Sequence, residues 1–246
     1  VSFLLTALIT AAISFSTAAV GEAYTKGETL DYTVTWMKVT GGTARMTIAP
    51  DDPERYRITS VVKSSGSLSR FFKVRDEIVS TVSTDDFSTL RYVKQLDERG
   101  DKMEEVTTVE DGVATRKRKK VRKFPVPRPV LDPISVIYYF RTLELAPGKS
   151  YELTLLSDGK IYTVHARVVK RETLTTPAGT FNTLMVEPQM VSAGVTREER
   201  LFIWYSDDER HLPVRIRTEV KFGSVTATLK GFSPGASAID PAPLPR

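Results

Sequence analysis

The densest group of residues able to do chemistry is "WYSDDERHLP", Trp204 to Pro213, which gathers Asp207, Asp208, Glu209 and His211 within five positions. Hard cations want several oxygen ligands, and a histidine held by a second polar group can complete such a set. The spacing matches no calcium loop, however, and a polar turn between two strands, ended by Pro213, accounts for the same residues. A catalytic zinc commonly takes about three protein ligands. The remaining histidine, His165, falls on the outward alternate of "YTVHARV", and neither histidine belongs to a His-Glu-x-x-His pattern.

Candidate nucleophiles fare no better. "SVVK", Ser60 to Lys63, has the Ser-x-x-Lys spacing, but on a strand the two side chains point to opposite faces. "SDGK", Ser157 to Lys160, repeats the spacing within a turn. The pairs Glu104/Glu105 and Glu198/Glu199 are strand neighbours that face apart, which is wrong for shared acid/base work. There is no cysteine, so disulfide frameworks, thiolate metal sites and a cysteine nucleophile are excluded. No Gly-x-Ser-x-Gly, phosphate loop or dinucleotide fingerprint occurs. No catalytic residue, metal site or cofactor is predicted; a hydrolase with an unrecognised site stays as an alternative.

Electrostatics offers a more definite feature. "RKRKKVRK" places Arg116, Lys117, Arg118, Lys119, Lys120, Arg122 and Lys123 around a single valine. Their charge exceeds the formal net charge of +5, so the rest of the molecule is net acidic. On a strand these residues would occupy both faces, so neither face could be buried. The run is therefore expected at an exposed edge, where lysines guard against strand addition. It could also meet an anionic envelope surface. Nucleic acid is not expected, since no aromatic residue interleaves the charges.

The elements that must position these groups are mostly strands. "LDYTVTWMK" alternates Leu30, Tyr32, Val34 and Trp36 against polar residues, and Gly41-Gly42 suggests a turn into "TARMTIA". The pattern recurs along the chain, with Asp111-Gly112 and Asp158-Gly159 as hairpin turns. The exception is "DPISVIYYFR". Asp132 suits an N-cap, Pro133 the first turn, and Ile134, Ile137, Tyr138 and Arg141 recur at helical spacing. Val136, Tyr139, Phe140 and Leu143 fill much of the remaining circumference, and a helix apolar nearly all round belongs inside. The expected fold is mainly β: a long antiparallel meander forming a strongly curved half-barrel or open barrel around one short helix at about 132–143.

Residues 1–19, "VSFLLTALITAAISFSTAA", read as a secretory signal peptide expected to be cleaved, which places the protein in the periplasm; the alternative is an uncleaved membrane anchor, since the stretch is near the length needed to span. A single β domain is expected over 24–232. The Pro/Ala-rich segment 233–246 has little to bury and is expected to be a disordered tail.

Several motifs in order, "DPISVIYYFR", "PGKSYELTLLSDGK", "TPAGTFNTLMVEP", "LFIWYSDDERHLPVRI" and "FGSVTATLKGF", resemble a bacterial family of exported proteins, domain of unknown function 3108. The resemblance implies a largely β envelope protein without an established reaction, and it transfers no catalytic residues. The basic run around Lys119 lies outside the family pattern. More loosely, a curved sheet around an apolar helix is similar to the half-barrels of periplasmic lipoprotein carriers, a likeness of fold alone.

Together these readings predict a non-enzymatic, monomeric envelope protein that binds a hydrophobic ligand, a lipid or an acylated protein, or supports envelope integrity through such binding. Trp36, Phe72, Ile137, Tyr138, Phe140 and Trp204 are the expected lining. The alternative is a structural or interaction module with a solid interior that works through its basic edge on anionic envelope surfaces.

Overall fold

The alternation of apolar and polar residues builds one antiparallel sheet. The computed structural model describes residues 21, 23–37, 39–65, 73–98, 100–193, 195–196, 198–221 and 223–235. Its first half contains β1 (Glu28–Trp36), β2 (Val39–Asp52), β3 (Arg55–Ser64), β4 (Val74–Ser83), β5 (Thr89–Glu98), β6 (Asp101–Glu110), β7 (Val113–Lys117) and β8 (Val121–Pro125). A short helix, α1 (Ser135–Tyr139), continues as a 3-10 turn over Phe140–Thr142. The second half contains β9 (Ser150–Ser157), β10 (Lys160–Thr176), β11 (Gly179–Ser192), β12 (Val195–Thr196), β13 (Arg200–Ser206), β14 (Pro213–Val220) and β15 (Gly223–Pro234). The expected meander around a helix is what forms.

The spatial order is β8-β7-β6-β5-β4-β3-β2-β1-β15-β14-β13-β11-β10-β9, with β12 added to β11. Pairing of β1 with β15 joins the two halves, and β8 and β9 are left as edges. β15 extends to Pro234, opposite Glu28, so Ser233 and Pro234 belong to the sheet. The segments 1–19 and 236–246 lie outside the described residues. No helix among the described residues is long and apolar enough to cross a membrane.

The edges approach without joining in a ladder. The connector 126–131 lies between them: Val126 N–H donates to the Gly112 carbonyl (2.8 Å) and Thr89 N–H to the Val130 carbonyl (2.8 Å). On the other side Leu131 N–H donates to Thr154 (2.9 Å) and Leu156 N–H to Leu131 (2.8 Å). Val109, Ala114 and Phe124, from β6, β7 and β8, pack with Leu156 and Ile161 from β9 and β10. One end of the sheet thus laps over the other, and side chains rather than a strand ladder close the seam.

Asp111-Gly112 and Asp158-Gly159 adopt positive φ (49° and 72°; 53° and 72°), as their hairpin turns require. Gly41-Gly42 is a different case. β1 ends at Trp36 and β2 begins at Val39, so both glycines lie within β2. A Cβ on Gly42 would sit 2.3 Å from the Lys63 carbonyl oxygen, so this glycine permits close approach of β3 rather than a turn.

The helix is shorter than the 132–143 expected from spacing. Its β-branched and aromatic residues are modest helix formers, so burial rather than propensity holds it. Ser135, Tyr138, Phe140 and Arg141 have no exposed surface. They lie in a core shared with Leu30, Ile48 and Ile58 from the first half and Val168, Leu184 and Tyr205 from the second.

Candidate functional site

The helix fills one end of the barrel. Asp132 Oδ1 accepts from the N–H groups of Ile134 (3.0 Å) and Ser135 (2.9 Å), while its Oδ2 accepts from the hydroxyls of Ser80 and Thr89. Ser135 Oγ accepts from Asp132 N–H in return (2.8 Å), a reciprocal cap. Burial raises the Asp132 carboxyl above its ordinary range, against the pull of those four donors.

At the other end of the helix Arg141 pairs with Glu28 through two hydrogen bonds (2.5 and 3.0 Å) and donates from Nε to the Arg210 carbonyl (3.1 Å). Burial works against its charge. Tyr24 and Glu28 nevertheless hold its pKa above the ordinary arginine value. The Tyr24 hydroxyl donates to the Tyr138 carbonyl (2.7 Å), and the Tyr205 hydroxyl to that of Ile137 (3.1 Å). His211 is buried and places Nδ1 3.0 Å from the Arg141 carbonyl.

A wall beside a void large enough for water keeps accessible surface. Tyr138, Phe140, Leu30, Leu184 and Tyr205 keep none, so the space around the helix is packed solid. Most polar groups there hold the helix, while the Tyr138 hydroxyl is buried without a hydrogen-bond partner.

The opposite end differs. Antiparallel alternation brings the ends of β1, β5, β7, β9 and β14, and the starts of β2, β6, β8, β10 and β15, to this one end of the sheet. Val34, Val62, Ile78, Leu201, Ile216 and Ala227 continue the inward rows of β1, β3, β4, β13, β14 and β15 toward it, and each is only partly buried. Trp36 ends the β1 row, partly buried, opposite Val225. Met37 (58% exposed), Val39 (56%), Val220 (40%) and Val225 (41%) stand at the rim. The mouth is therefore an inner wall reached from solvent, apolar on β1, β3, β13, β14 and β15 and interrupted by Asp76 and Lys94, which share a face with Val62 and Ile78. A separate groove of about 470 Å³ lies on the outer face among outward residues of β1, β2 and β3. It is flanked by the Asp31–Arg45 ion pair, Lys63 and Lys230.

The structure separates the six residues expected to line a ligand. Ile137, Tyr138 and Phe140 belong to the packed core, and Trp36 stands at the mouth. Phe72 lies outside the described residues. Trp204 faces outward: on β13 Leu201, Ile203 and Tyr205 point in, whereas Phe202 and Trp204 form an outer cluster with Met185 and Leu174. Its Nε1–H donates to Glu172 (2.6 Å) and Arg215 lies 5.8 Å from its ring centroid. An all-apolar strand such as "LFIWY" hides the phase of its alternation. The half-buried wall residues were missed because their inward phase is legible but their nearness to an open end is not.

The basic run is not one strand. β7 and β8 pair with Arg116 opposite Arg122, and the turn at 118–120 folds the run into a hairpin tip. Arg116 is a further correction to the expectation of full exposure. It points into the seam, bonds to Glu105 (2.5 Å) and packs on Gly159, where a Cβ would lie 2.8 Å from its Cδ. Lys117, Arg118, Lys119, Lys120, Arg122 and Lys123 are exposed and form no ion pair among the described residues.

The acidic group at 207–211 is the predicted turn. Asp208 accepts from Ser206 Oγ (2.7 Å) and Arg210 N–H (3.0 Å), and Asp207 pairs with Arg171. Burial opposes ionisation of Asp208, but the Arg210 and Ser206 hydrogen bonds outweigh it and hold its pKa below the ordinary carboxylate range. No cluster suited to a metal ion occurs among the described residues. His165 is exposed, 3.5 Å from Glu152, and Ser60 and Lys63 face opposite ways.

Fold and site together define a barrel-like antiparallel sheet plugged by a helix at one end and open to a largely apolar wall at the other. Residues 31–230 match the family described as Protein of unknown function (DUF3108), and the chain belongs to it. No functionally curated protein matches. Among solved structures the chain is similar to a β-barrel-like protein of domain of unknown function DUF1849 from Brucella abortus, with 11% identity and a TM-score of 0.59 over 85% of this chain and 98% of that one. That likeness shows the fold alone. It is also similar to an exported protein with a YmcC-like fold from Bacteroides fragilis (14% identity, TM-score 0.36, 85% and 96% covered). A third is a lipoprotein from Parabacteroides distasonis (12%, 0.35, 85% and 96%). At those scores the last two carry no argument.

Proposed function

We propose that the protein is a non-enzymatic, periplasmic binding protein that takes the hydrocarbon chain of an envelope lipid or acylated protein at the open end of its barrel. One observation carries this reading: the inner wall is buried around the helix but only partly buried at Val34, Val62, Ile78, Leu201 and Ile216, beneath an apolar rim. Apolar wall left open to water is stabilised by covering, and an acyl chain contributes roughly 0.8 kcal/mol for each buried methylene. The leader-like pattern of residues 1–19 supports export. Against a hydrolase, the buried polar groups Asp132, Glu28, Arg141 and His211 are each held in structural bonds.

The chain has two tryptophans, one at the mouth and one on the outer face, which makes the test direct. A fatty acid carrying a nitroxide on its chain should quench Trp36 in a Trp204→Phe protein and leave Trp204 bright in a Trp36→Phe protein. Equal quenching of both, or of neither at saturating ligand, sinks the reading.

A further inference from the structure

We infer that the mouth end of the barrel is also a docking face for an anionic phospholipid bilayer, with the β7–β8 hairpin as its electrostatic foot. Three observations carry this. First, Lys117, Arg118, Lys119, Lys120, Arg122 and Lys123 crowd onto a short exposed hairpin and form no ion pair among the described residues. Second, the tip at 118–120 leaves the same end of the sheet as the turns that frame the mouth, and its base is fixed beside the 158–159 turn by Arg116, Glu105 and Gly159. A foot locked to the barrel transmits an orientation. Third, Val121 is 61% exposed among the cations, and Met37 and Val39 are exposed across the mouth. Basic and apolar side chains together suit the headgroup region, where charges attract and short apolar groups enter.

The neighbouring β5–β6 tip is acidic, with Asp97, Glu98, Asp101 and Glu104. β6 runs on from Val106, opposite Lys117, to Asp101, so the acidic tip lies beyond the basic one at this end, and docking takes the barrel tilted onto its β7–β8 side. The inference rests on the proposed function for the mouth's purpose. The docking itself is read without any acyl ligand, so the two fail separately.

The experiment is flotation of the full chain with vesicles of phosphatidylglycerol mixed with phosphatidylcholine, and with phosphatidylcholine alone. It is run in low and in high salt, where the screening length falls from about 30 Å to about 3 Å. The expected result is salt-sensitive binding to the anionic vesicles only, lost on the order of a hundredfold in a Lys117→Glu/Lys119→Glu/Lys120→Glu protein. Met37→Ser/Val39→Ser should weaken binding without changing its salt dependence. The charge-reversed residues are exposed, so folding is not at risk, and circular dichroism checks this. A salt-sensitive component that survives charge reversal, its absence on anionic vesicles, or capture by a soluble polyanion with no vesicle binding overturns the inference.

Discussion

Arg141 and Glu28, 113 residues apart in sequence, meet as a two-bond ion pair (2.5 and 3.0 Å) inside the helix-filled end of the barrel. The rings of Tyr24 and Tyr138 flank the guanidinium at 5.3 and 5.5 Å. The pair ties the helix to the first residue of β1, and through it to the strand that joins the two halves of the sheet. It is paired, stacked and dry. Such a pair adds little over a well-packed apolar one, but either partner left alone is costly.

Arg141→Met should therefore lower stability by about 3–5 kcal/mol, because Glu28 is then buried without a partner. A Glu28→Leu/Arg141→Met protein should recover most of that loss. Urea unfolding of the two single variants and the double one measures the coupling. Additive effects would mean that the pair does not act as a unit.

Asp132 predicts a pH dependence. Burial raises its folded-state pKa above the unfolded value near 3.9. The folded protein therefore holds this proton more tightly than the unfolded chain. Stability from this group is greatest below about pH 4 and is lost as pH rises toward the raised value. Asp132→Asn keeps acceptors for Ile134 and Ser135 and can reorganise with Ser80 and Thr89. It should flatten the slope above pH 4 at little cost near neutrality. Asp132→Ala strands those donors and should cost about 2–4 kcal/mol. Unfolding midpoints at several pH values decide it; an unchanged slope in the Asn variant counts against the account.

Much of this architecture was legible in the residues. Alternation marked the strands, Asp-Gly pairs marked two turns, and the run from Asp132 to Arg141 marked a buried helix because it offers no polar face. What could not be read depended on three-dimensional neighbours. Phe202 and Trp204 share an apolar strand with Leu201, Ile203 and Tyr205, and only the outer cover from Leu174, Glu172 and Arg215 shows which set faces out. Arg141 recurs with the apolar residues at helical spacing, yet its partner Glu28 lies 113 residues away. The candidate mouth is legible only once strand ends are placed, since Val34 and Leu30 carry the same signal but differ in depth.

Gly42 is a test of close strand approach. Gly42→Ala would force a Cβ to within 2.3 Å of a backbone oxygen, which side-chain motion cannot relieve. A loss of about 1–3 kcal/mol is expected in thermal or urea unfolding. Gly231→Ala, with no atom within 4 Å and no positive φ, should be neutral or slightly stabilising. Equal effects at the two positions would remove the distinction.

The seam supplies the last prediction. Glu105 is almost fully buried and bonds to Arg116 on the neighbouring strand, while Lys94 pairs with Asp158 across the overlap, so one ion pair and the packing of Arg116 on Gly159 stand where a closed barrel would have a ladder. Glu105→Ala leaves Arg116 partly buried without its partner and takes away the anchor of the β7–β8 hairpin. Because the seam rests on few backbone bonds, it should open before the rest of the sheet. Amide exchange at Leu131 and Leu156, whose N–H groups join the connector to β9, and at Val126, whose N–H extends the β7–β8 hairpin, should accelerate by tenfold or more, about 1.4 kcal/mol of local opening. Leu184, at the centre of the core, should change only as global stability changes. Uniform acceleration at all four amides would show that the barrel opens as one unit and that the overlap has no separate stability.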